Sequence, residues 1–321
     1  MAGNTGIGRR GDGIFAGGGG VESDGLRVGL KPQKGWAKRN YHYMRRSLLP
    51  TLMASRAPAH LKGQPDYLGL AQHEIEVTWI GHASFLVRTP WMNILIDPNW
   101  ALWHGPLVKR AKLPGFSLEH LPRIDLVLIT HAHFDHLHRP SLRRIASGQT
   151  VLVPRGVSRL LKRMPFGEVR EMDNWEGHDA GEVEIVFTPS YHWGARYLHD
   201  THRGFGGFLI RTPHSTLYHS GDSAYFDGFA ELGERYEVDT ALLPIGAYEA
   251  PSGRDVQMNP EEALQAFSDL GAGRMIPMHY GAFALGNEHI DEPIRRLHHH
   301  SKRRGLCHRV ITAREGEQIR L

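Results

Sequence analysis

RIDLVLITHAHFDHLHRPSLRR, residues Arg123 to Arg144, decides how the rest of this 321-residue chain reads. Ile124 to Thr130 is an apolar, β-branched run broken by one Asp, which predicts a buried strand. His131, His133, Asp135 and His136 follow at once in the spacing H-x-H-x-D-H. Histidine is 22 of 321 residues, and composition leaves roughly 0.005 chance occurrences of this pattern along the chain. On a tight loop, residues two apart turn toward one point, so His131 and His133 can grip one cation. Asp135 and His136, one step further round, face a second point nearby. Imidazole nitrogen with a carboxylate oxygen suits zinc, and iron or manganese at some cost in affinity. A loop of merely solvated histidines is the competing reading; it fails because the rest of the chain supplies further ligands.

Upstream, Glu74 to Ile80, Phe85 to Arg88 and Asn93 to Ile96 read as three short strands of an antiparallel sheet whose edge feeds a site at Asp97 and Pro98. Asp97 either orients a ligand histidine or serves the turn beside Pro98. His82, in the turn Gly81-His82-Ala83-Ser84, reads as a structural histidine ahead of a ligand. Trp100 to Leu107 is an aromatic loop in which Trp100, Leu102 and Trp103 either line an apolar groove or cap the core.

Downstream, Pro140 to Ala146 and Gly156 to Arg163 predict helices, and Val151 to Pro154 and Val169 to Met172 predict strands. Val183 to Thr188 is a strand running into Tyr191-His192-Trp193. A hairpin of Gly206 to Arg211 and Ser215 to Ser220 runs into Gly221-Asp222-Ser223. Thr240 to Pro244 is a strand, Pro260 to Leu270 a helix with Asn259 as N-cap, and Met275 to Met278 a strand followed by His279. Four strand ends thus present His131 to His136, His192, Asp222 and His279 around an approximate strand–helix duplication. The other histidines, among them His219, His289 and the run His298 to His300, read as surface or core residues.

A formal charge of +4 and a pI near 9.2 are mildly basic, which fits an anionic substrate or surface. No zinc-finger spacing, RNP signature or long basic helix argues for nucleic acid. The single Cys307 excludes an intramolecular disulfide. No apolar run reaches the roughly 18 residues of a membrane span, and no apolar h-region follows Arg9 and Arg10. The expectation is a cytoplasmic protein that can touch the inner face of a membrane. Residues 1–29 are Gly-rich and read as disordered. Residues 30–61 form a basic aromatic segment in which Lys34, Lys38, Arg39, Arg45 and Arg46 alternate with Trp36, Tyr41, Tyr43, Met44, Leu48 and Leu49. Such a segment either packs on the main domain with its basic face solvated or lies in a membrane interface. Residues 62–321 form the remaining domain.

WIGHASFLV, NILIDP, THAHFDHL, PSYHWGAR, GFGGFLI, SGDS, LPIGAYE, NPEEA and PMHYGAFALGNEH, spanning about Lys62 to His300, resemble the metallo-β-lactamase superfamily. Within it, the chain is similar to the N-acyl-phosphatidylethanolamine phospholipase D family of zinc hydrolases. The resemblance implies an α/β fold of α+β type, a four-layer αββα sandwich of two similar halves with a dinuclear site at one edge. It implies that His131, His133 and His192 hold one zinc and that Asp135, His136 and His279 hold the other. Asp222 would bridge both, and Asp97 matches an aspartate near the site, so Asp97, Asp135 and Asp222 become the catalytic carboxylates. The chain departs from the family at Gln257, where a histidine is expected, and over Ala250 to Val256. Trp100, Trp103, Trp193, Tyr248, Gln257 and His289 are the candidates for substrate contact.

With two Zn2+ per chain, Asp135, Asp222 and a bridging hydroxide would leave the centre close to a single positive charge. That favours an anionic phosphodiester over a neutral ester, with metals about 3.5–4 Å apart activating the shared water. The expected function is hydrolysis of a phosphodiester, most similar to that of an N-acyl-phosphatidylethanolamine-like phospholipid. The alternatives are a lactonase or other carbonyl hydrolase of the same fold, or a non-catalytic metal-binding, membrane-associated protein. Phospholipid and peripheral membrane are the expected partners, nucleic acid is not, and the sequence leaves room for a homodimer.

Overall fold

The structure is a computed structural model and describes residues 36–58, 65–197 and 200–321. The Gly-rich stretch 1–29 lies outside these residues, as do the ends of the basic aromatic segment. Its described part is helix α1 (Trp36–Tyr43), a π turn over Met44–Leu48 and a short α2 (Leu49–Met53). Pro50 opens α2 directly after the π turn, in a helical run that continues unbroken from α1.

Three strands then form an antiparallel meander: β1 (Glu76–Gly81), β2 (Ser84–Arg88) and β3 (Asn93–Ile96). A small ribbon, β4 (Trp103–His104) with β5 (Val108–Lys109), replaces the open loop expected at Trp100 to Leu107. β6 (Leu126–Leu128) lies parallel to β3. Hence the three antiparallel strands expected from the sequence are part of a larger, mixed sheet in which β3 is an inner strand. α3 (Arg139–Ile145) starts where His138 Nδ1 accepts from Ser141 N. β7 (Thr150–Pro154) and β8 (Glu168–Met172) continue the sheet in parallel. Between them, the helix predicted over Gly156 to Arg163 is only a 3-10 turn at Ser158–Leu161, held between the left-handed residues Gly156 and Arg163.

The second sheet begins with β9 (Gly177–Asp179), β10 (Glu184–Thr188), β11 (Gly207–Arg211) and β12 (Thr216–His219), all antiparallel. α4 (Gly228–Arg235) leads to β13 (Thr240–Pro244), which is parallel to β12. α5 (Pro260–Asp269) opens on a capping box: Asn259 accepts from Glu262 N, and Glu262 accepts from Asn259 N. β14 (Arg274–Met278) follows in parallel with β13, then α6 (Glu292–Arg303) and β15 (Gln318–Arg320). The sheets run β15-β1-β2-β3-β6-β7-β8 and β14-β13-β12-β11-β10-β9.

Side-chain alternation explains the layering. Val77, Trp79, Phe85, Val87, Ile94, Ile96, Leu126 and Leu128 point to the core shared with Ile185, Phe208, Ile210 and Tyr218 of the second sheet. The intervening Leu86, Leu95, Val127, Val151 and Val153 pack with Leu142 and Ile145 of α3 on the opposite face. The second sheet is covered in turn by Phe229, Leu264, Phe267 and Leu297 of α4, α5 and α6. The result is the αββα sandwich. Truncating a fully buried aromatic such as Phe85 or Phe208 costs about 3–5 kcal/mol.

β1, β3 and β6 share one direction, as do β10, β12 and β14. Their carboxyl ends carry His82, Asp97, His131 to His136, His192, Asp222 and His279. This common edge is where the chemistry collects.

Candidate metal centre

β6 ends earlier than its apolar run because a side chain takes over the ladder. Thr130 N donates to Asp97 Oδ1 (2.8 Å) and Thr130 Oγ1 to Asp97 Oδ2 (2.6 Å). Asp97 holds a left-handed φ of 42° beside Pro98, a conformation retained when the surroundings require it. The loop that follows is clamped from below. Arg196 Nη1 donates to Ala132 O (2.7 Å) and Leu137 O (2.9 Å), with the Phe134 ring over its guanidinium at 3.9 Å. Gly221, at φ 63°, packs so closely that a Cβ would lie 2.3 Å from Gly206 O, so only glycine brings Asp222 in beside Thr130.

The first donor group is His131, His133 and His192. His192 Nδ1 donates to Val256 O (2.7 Å). Thr130 Oγ1 has spent its proton on Asp97, so it accepts from His131 Nδ1 (3.0 Å). Both rings therefore turn a lone pair at Nε2 toward His133 Nδ1, at 2.9 Å from His131 and 3.3 Å from His192. One proton on His133 can satisfy only one of them. Burial holds all three imidazoles in the neutral form, His133 down to about 3. Neutral nitrogens converging with unmatched lone pairs are what a cation requires.

The second group is His82, Asp135, His136 and His279, and Asp222 adjoins both groups. His136 Nδ1 donates to Asp97 Oδ2 (2.7 Å), which leaves its Nε2 facing Asp222 Oδ1 at 3.3 Å and Asp135 Oδ2 at 3.7 Å. His279 Nε2 lies 3.0 Å from Asp222 Oδ2 and 3.5 Å from Asp135 Oδ2. The buried atoms His133 Nε2, His136 Nε2, His279 Nε2 and Asp222 Oδ1 have no hydrogen-bond partner. Such orphans are costly, and two cations would relieve most of them.

Electrostatics point the same way. Burial alone would raise Asp135 and Asp222, yet the imidazoles around them hold both carboxyls well below the usual range. Burial alone would lower His136 and His279, yet the carboxylates hold His136 well above its ordinary value and His279 at about 9. Without a metal, protons fill the positive positions that the carboxylates demand.

The structure brings together His131, His133, Asp135, His136, His192, Asp222 and His279. Asp97 stands behind them, wholly buried, and orients His136; of its two sequence readings, orientation is the one the geometry supports. Gln257 Nε2 donates to Asp222 Oδ2 (2.6 Å). Trp193 lies against His133, ring centroids 4.5 Å apart. The remaining candidates sit elsewhere. Trp100 donates to Phe116 O and packs on the α3-side core. Trp103 is exposed on the ribbon under Arg56. Tyr248 is buried against α6 and donates to Glu292. His289 is an exposed residue whose Nδ1 accepts from Asp291 N at the head of α6, outside the cluster. Core helix contacts, not substrate geometry, determine the places of Trp100 and Tyr248.

Three residues escaped the sequence reading. His82, read as structural ahead of a ligand, joins the second group through its contact with Asp135. Asn99 donates to Asp135 O (2.6 Å) and lies 3.1 Å from His104 Nε2. His104 packs on Phe283 at 4.6 Å, and burial pushes it down to about 4. A Gly-His pair in a turn between two strands was the available signal for His82; nothing local marked Asn99 or His104.

A family model described as a beta-lactamase superfamily domain matches residues 92–280. A UPF0173 metal-dependent hydrolase of Pyrobaculum arsenaticum is 34% identical over 218 residues, 66% of this chain and 86% of that protein. The N-acyl-phosphatidylethanolamine-hydrolyzing phospholipase D 1 of Caenorhabditis elegans is 30% identical over 265 residues, 75% of this chain and 73% of that protein. Among solved structures, Igni18, a metallo hydrolase of Ignicoccus hospitalis, aligns with a TM-score of 0.59 at 25% identity, over 77% of this chain and 98% of that one.

Proposed function

The chain belongs to the metallo-β-lactamase superfamily as a metal-dependent hydrolase, and from that premise we propose that it is a dinuclear zinc phosphodiesterase acting on an N-acyl-phosphatidylethanolamine-like phospholipid. The observation that carries the reading is the pair of donor groups that Asp222 adjoins, six imidazoles and two carboxylates in all. His131, His133 and His192 would hold one cation and Asp135, His136 and His279 the other. This nitrogen-rich set suits zinc best, and iron or manganese less well. The bound pair supplies an activated water and Lewis acidity.

The protein's own groups do the rest. Asp97, Thr130 and Val256 fix which nitrogen of His136, His131 and His192 carries the proton, so each presents a lone pair. Gln257 fixes Asp222. His131, His136, His279 and Asp222 are buried, whereas His133 and Asp135 are partly open, so substrate approaches from their side. Exposed Phe134 and Tyr197, with Trp193, flank that approach, and Leu102, Trp103 and Leu107 on the ribbon add apolar surface. A cationic centre beside apolar surface supports an amphipathic, anionic substrate.

Membrane contact belongs to the same proposal. The basic segment packs inward through Tyr43 Oη on Ala284 O (2.8 Å) and buried Leu48. Outward it exposes Tyr41, Met44, Leu49 and Met53 beside Arg45 and Arg46. No helix among the described residues is long and apolar enough to cross a membrane, so the contact would be peripheral.

The test is zinc-loaded protein assayed on a bis-aryl phosphodiester, N-acyl-phosphatidylethanolamine vesicles and a lactone panel. Phosphodiester and lipid turnover that His133→Ala or Asp222→Asn abolishes supports the reading. Lactone turnover alone assigns a carbonyl hydrolase instead, and a chain that takes up no metal is not this enzyme.

A further inference from the structure

The turn between β1 and β2 accepts backbone strain to carry a histidine into the site. Gly81 stands at φ 125°, where a Cβ would meet Arg110 Nη1 at 3.1 Å, and His82 stands at φ 60°. A left-handed non-glycine residue costs about 1–3 kcal/mol and persists where the surroundings over-determine it. His82 is buried, its ring 4.0 Å from that of His279 and edge-on to Phe283 at 5.2 Å. Its carbonyl accepts from Trp79 Nε1 (2.8 Å) and His279 N (3.1 Å). Its Nε2 lies 2.9 Å from Asp135 Oδ2.

A carboxylate oxygen only accepts, so the nitrogen facing it at this distance carries the proton and has no lone pair to offer a cation. His82 faces Asp135 alone, whereas His136 Nε2 and His279 Nε2 each lie between Asp135 and Asp222, where a shared cation would sit. Four of the other groups already have one outer partner: Asp97 for His136, Val256 O for His192, Thr130 for His131, Gln257 for Asp222. Asp135 has His82.

We propose that His82 is a positioning residue for the cation position of Asp135, His136 and His279, its Nε2–H fixing the Asp135 carboxylate toward those two imidazoles while its backbone carbonyl anchors His279. The proposal rests on the metal-hydrolase reading above and adds to it the residue that makes the two cation positions unequal. Loss of an outer partner of this kind weakens a cation by about 10–100-fold.

The experiment is zinc competition against a chromophoric chelator with the full chain, as wild type, His82→Leu and His82→Gln, together with cobalt(II) absorption spectra. His82→Leu weakens one of the two cations by about 10–100-fold and leaves the other unchanged. His82→Gln, whose amide can still donate to Asp135, retains both cations and the wild-type cobalt spectrum. Unchanged affinities in His82→Leu overturn the proposal, as does equal weakening of both cations, which marks general loosening of the fold. A cobalt spectrum altered in His82→Gln overturns it in favour of direct ligation. Wild-type protein that binds no cation removes the hydrolase reading itself, and the wild-type titration alone reveals that case.

Discussion

Asp97 Oδ2 lies 2.7 Å from His136 Nδ1, with both side chains wholly buried. The same oxygen accepts from Thr130 Oγ1, so one carboxylate fixes two rings, His136 directly and His131 through Thr130. In Asp97→Asn an amide N–H replaces one acceptor. Facing His136, it favours the tautomer with the proton on Nε2, the nitrogen that should present a lone pair. We expect the fold to persist and at least one cation to weaken about 10–100-fold, read by chelator competition. Wild-type affinity in Asp97→Asn contradicts the orienting role.

Gln257 reaches Asp222 Oδ2 across 2.6 Å in a buried setting. Gln257→Glu places a second carboxylate at that distance, which either takes up a proton or adds a negative charge to the centre. The loaded centre then falls from near one positive charge toward neutrality. Turnover of an anionic phosphodiester should drop about tenfold or more relative to that of a neutral aryl ester, since about 1.4 kcal/mol suffices for a factor of ten. Paired assays on the two substrates check this; an unchanged ratio shows that charge at Asp222 does not select substrate.

Much of the site was legible because it follows strand ends. His131 to His136, His192, Asp222 and His279 each follow an apolar run, and the shared direction of the strands within each sheet places their ends at one edge. The contact of His82 with Asp135, 53 residues away, was not legible, because no local pattern encodes that bond. The mixed character of the first sheet was not legible, because the parallel partner of β3, β6, lies beyond the ribbon in the chain. The helix expected after Gly156 fails at two left-handed residues, one of them Arg163, whose conformation composition does not disclose. Trp100 and Tyr248 are aromatic side chains of the kind that line a substrate groove, but hydrogen bonds to Phe116 and Glu292 claim them.

The outward face of the basic segment makes its own prediction. Met53, Leu49 and Met44 are exposed, and Lys109 Nζ ties the end of α2 to the ribbon carrying Leu102 and Trp103. Each basic residue near an anionic bilayer contributes about 1 kcal/mol. Arg45→Glu with Arg46→Glu should therefore weaken binding to phosphatidylserine vesicles at least tenfold, and added salt should weaken wild-type binding similarly. Cosedimentation measures both. Unchanged binding leaves the segment as a helix packed on the domain with a solvated basic face.

Metal-free protein should lose stability on the alkaline side, where loaded protein does not. In the cation-free site the carboxylates hold His279 at about 9 and His136 well above its ordinary value. An unfolded histidine titrates near 6.5. Groups raised in the folded state contribute stability that is fully present below about pH 6.5 and lost as pH rises through the folded value. As His279 gives up its proton, Asp135 and Asp222 lose the positive charge that pairs them. The thermal midpoint of chelator-treated protein should fall between about pH 6.5 and 9. Zinc loading replaces those protons, so it should release protons into weakly buffered solution and flatten the decline. Scanning calorimetry of both forms from pH 6 to 10 decides the matter, because equal slopes in the two forms deny that protons and cations compete for the same positions.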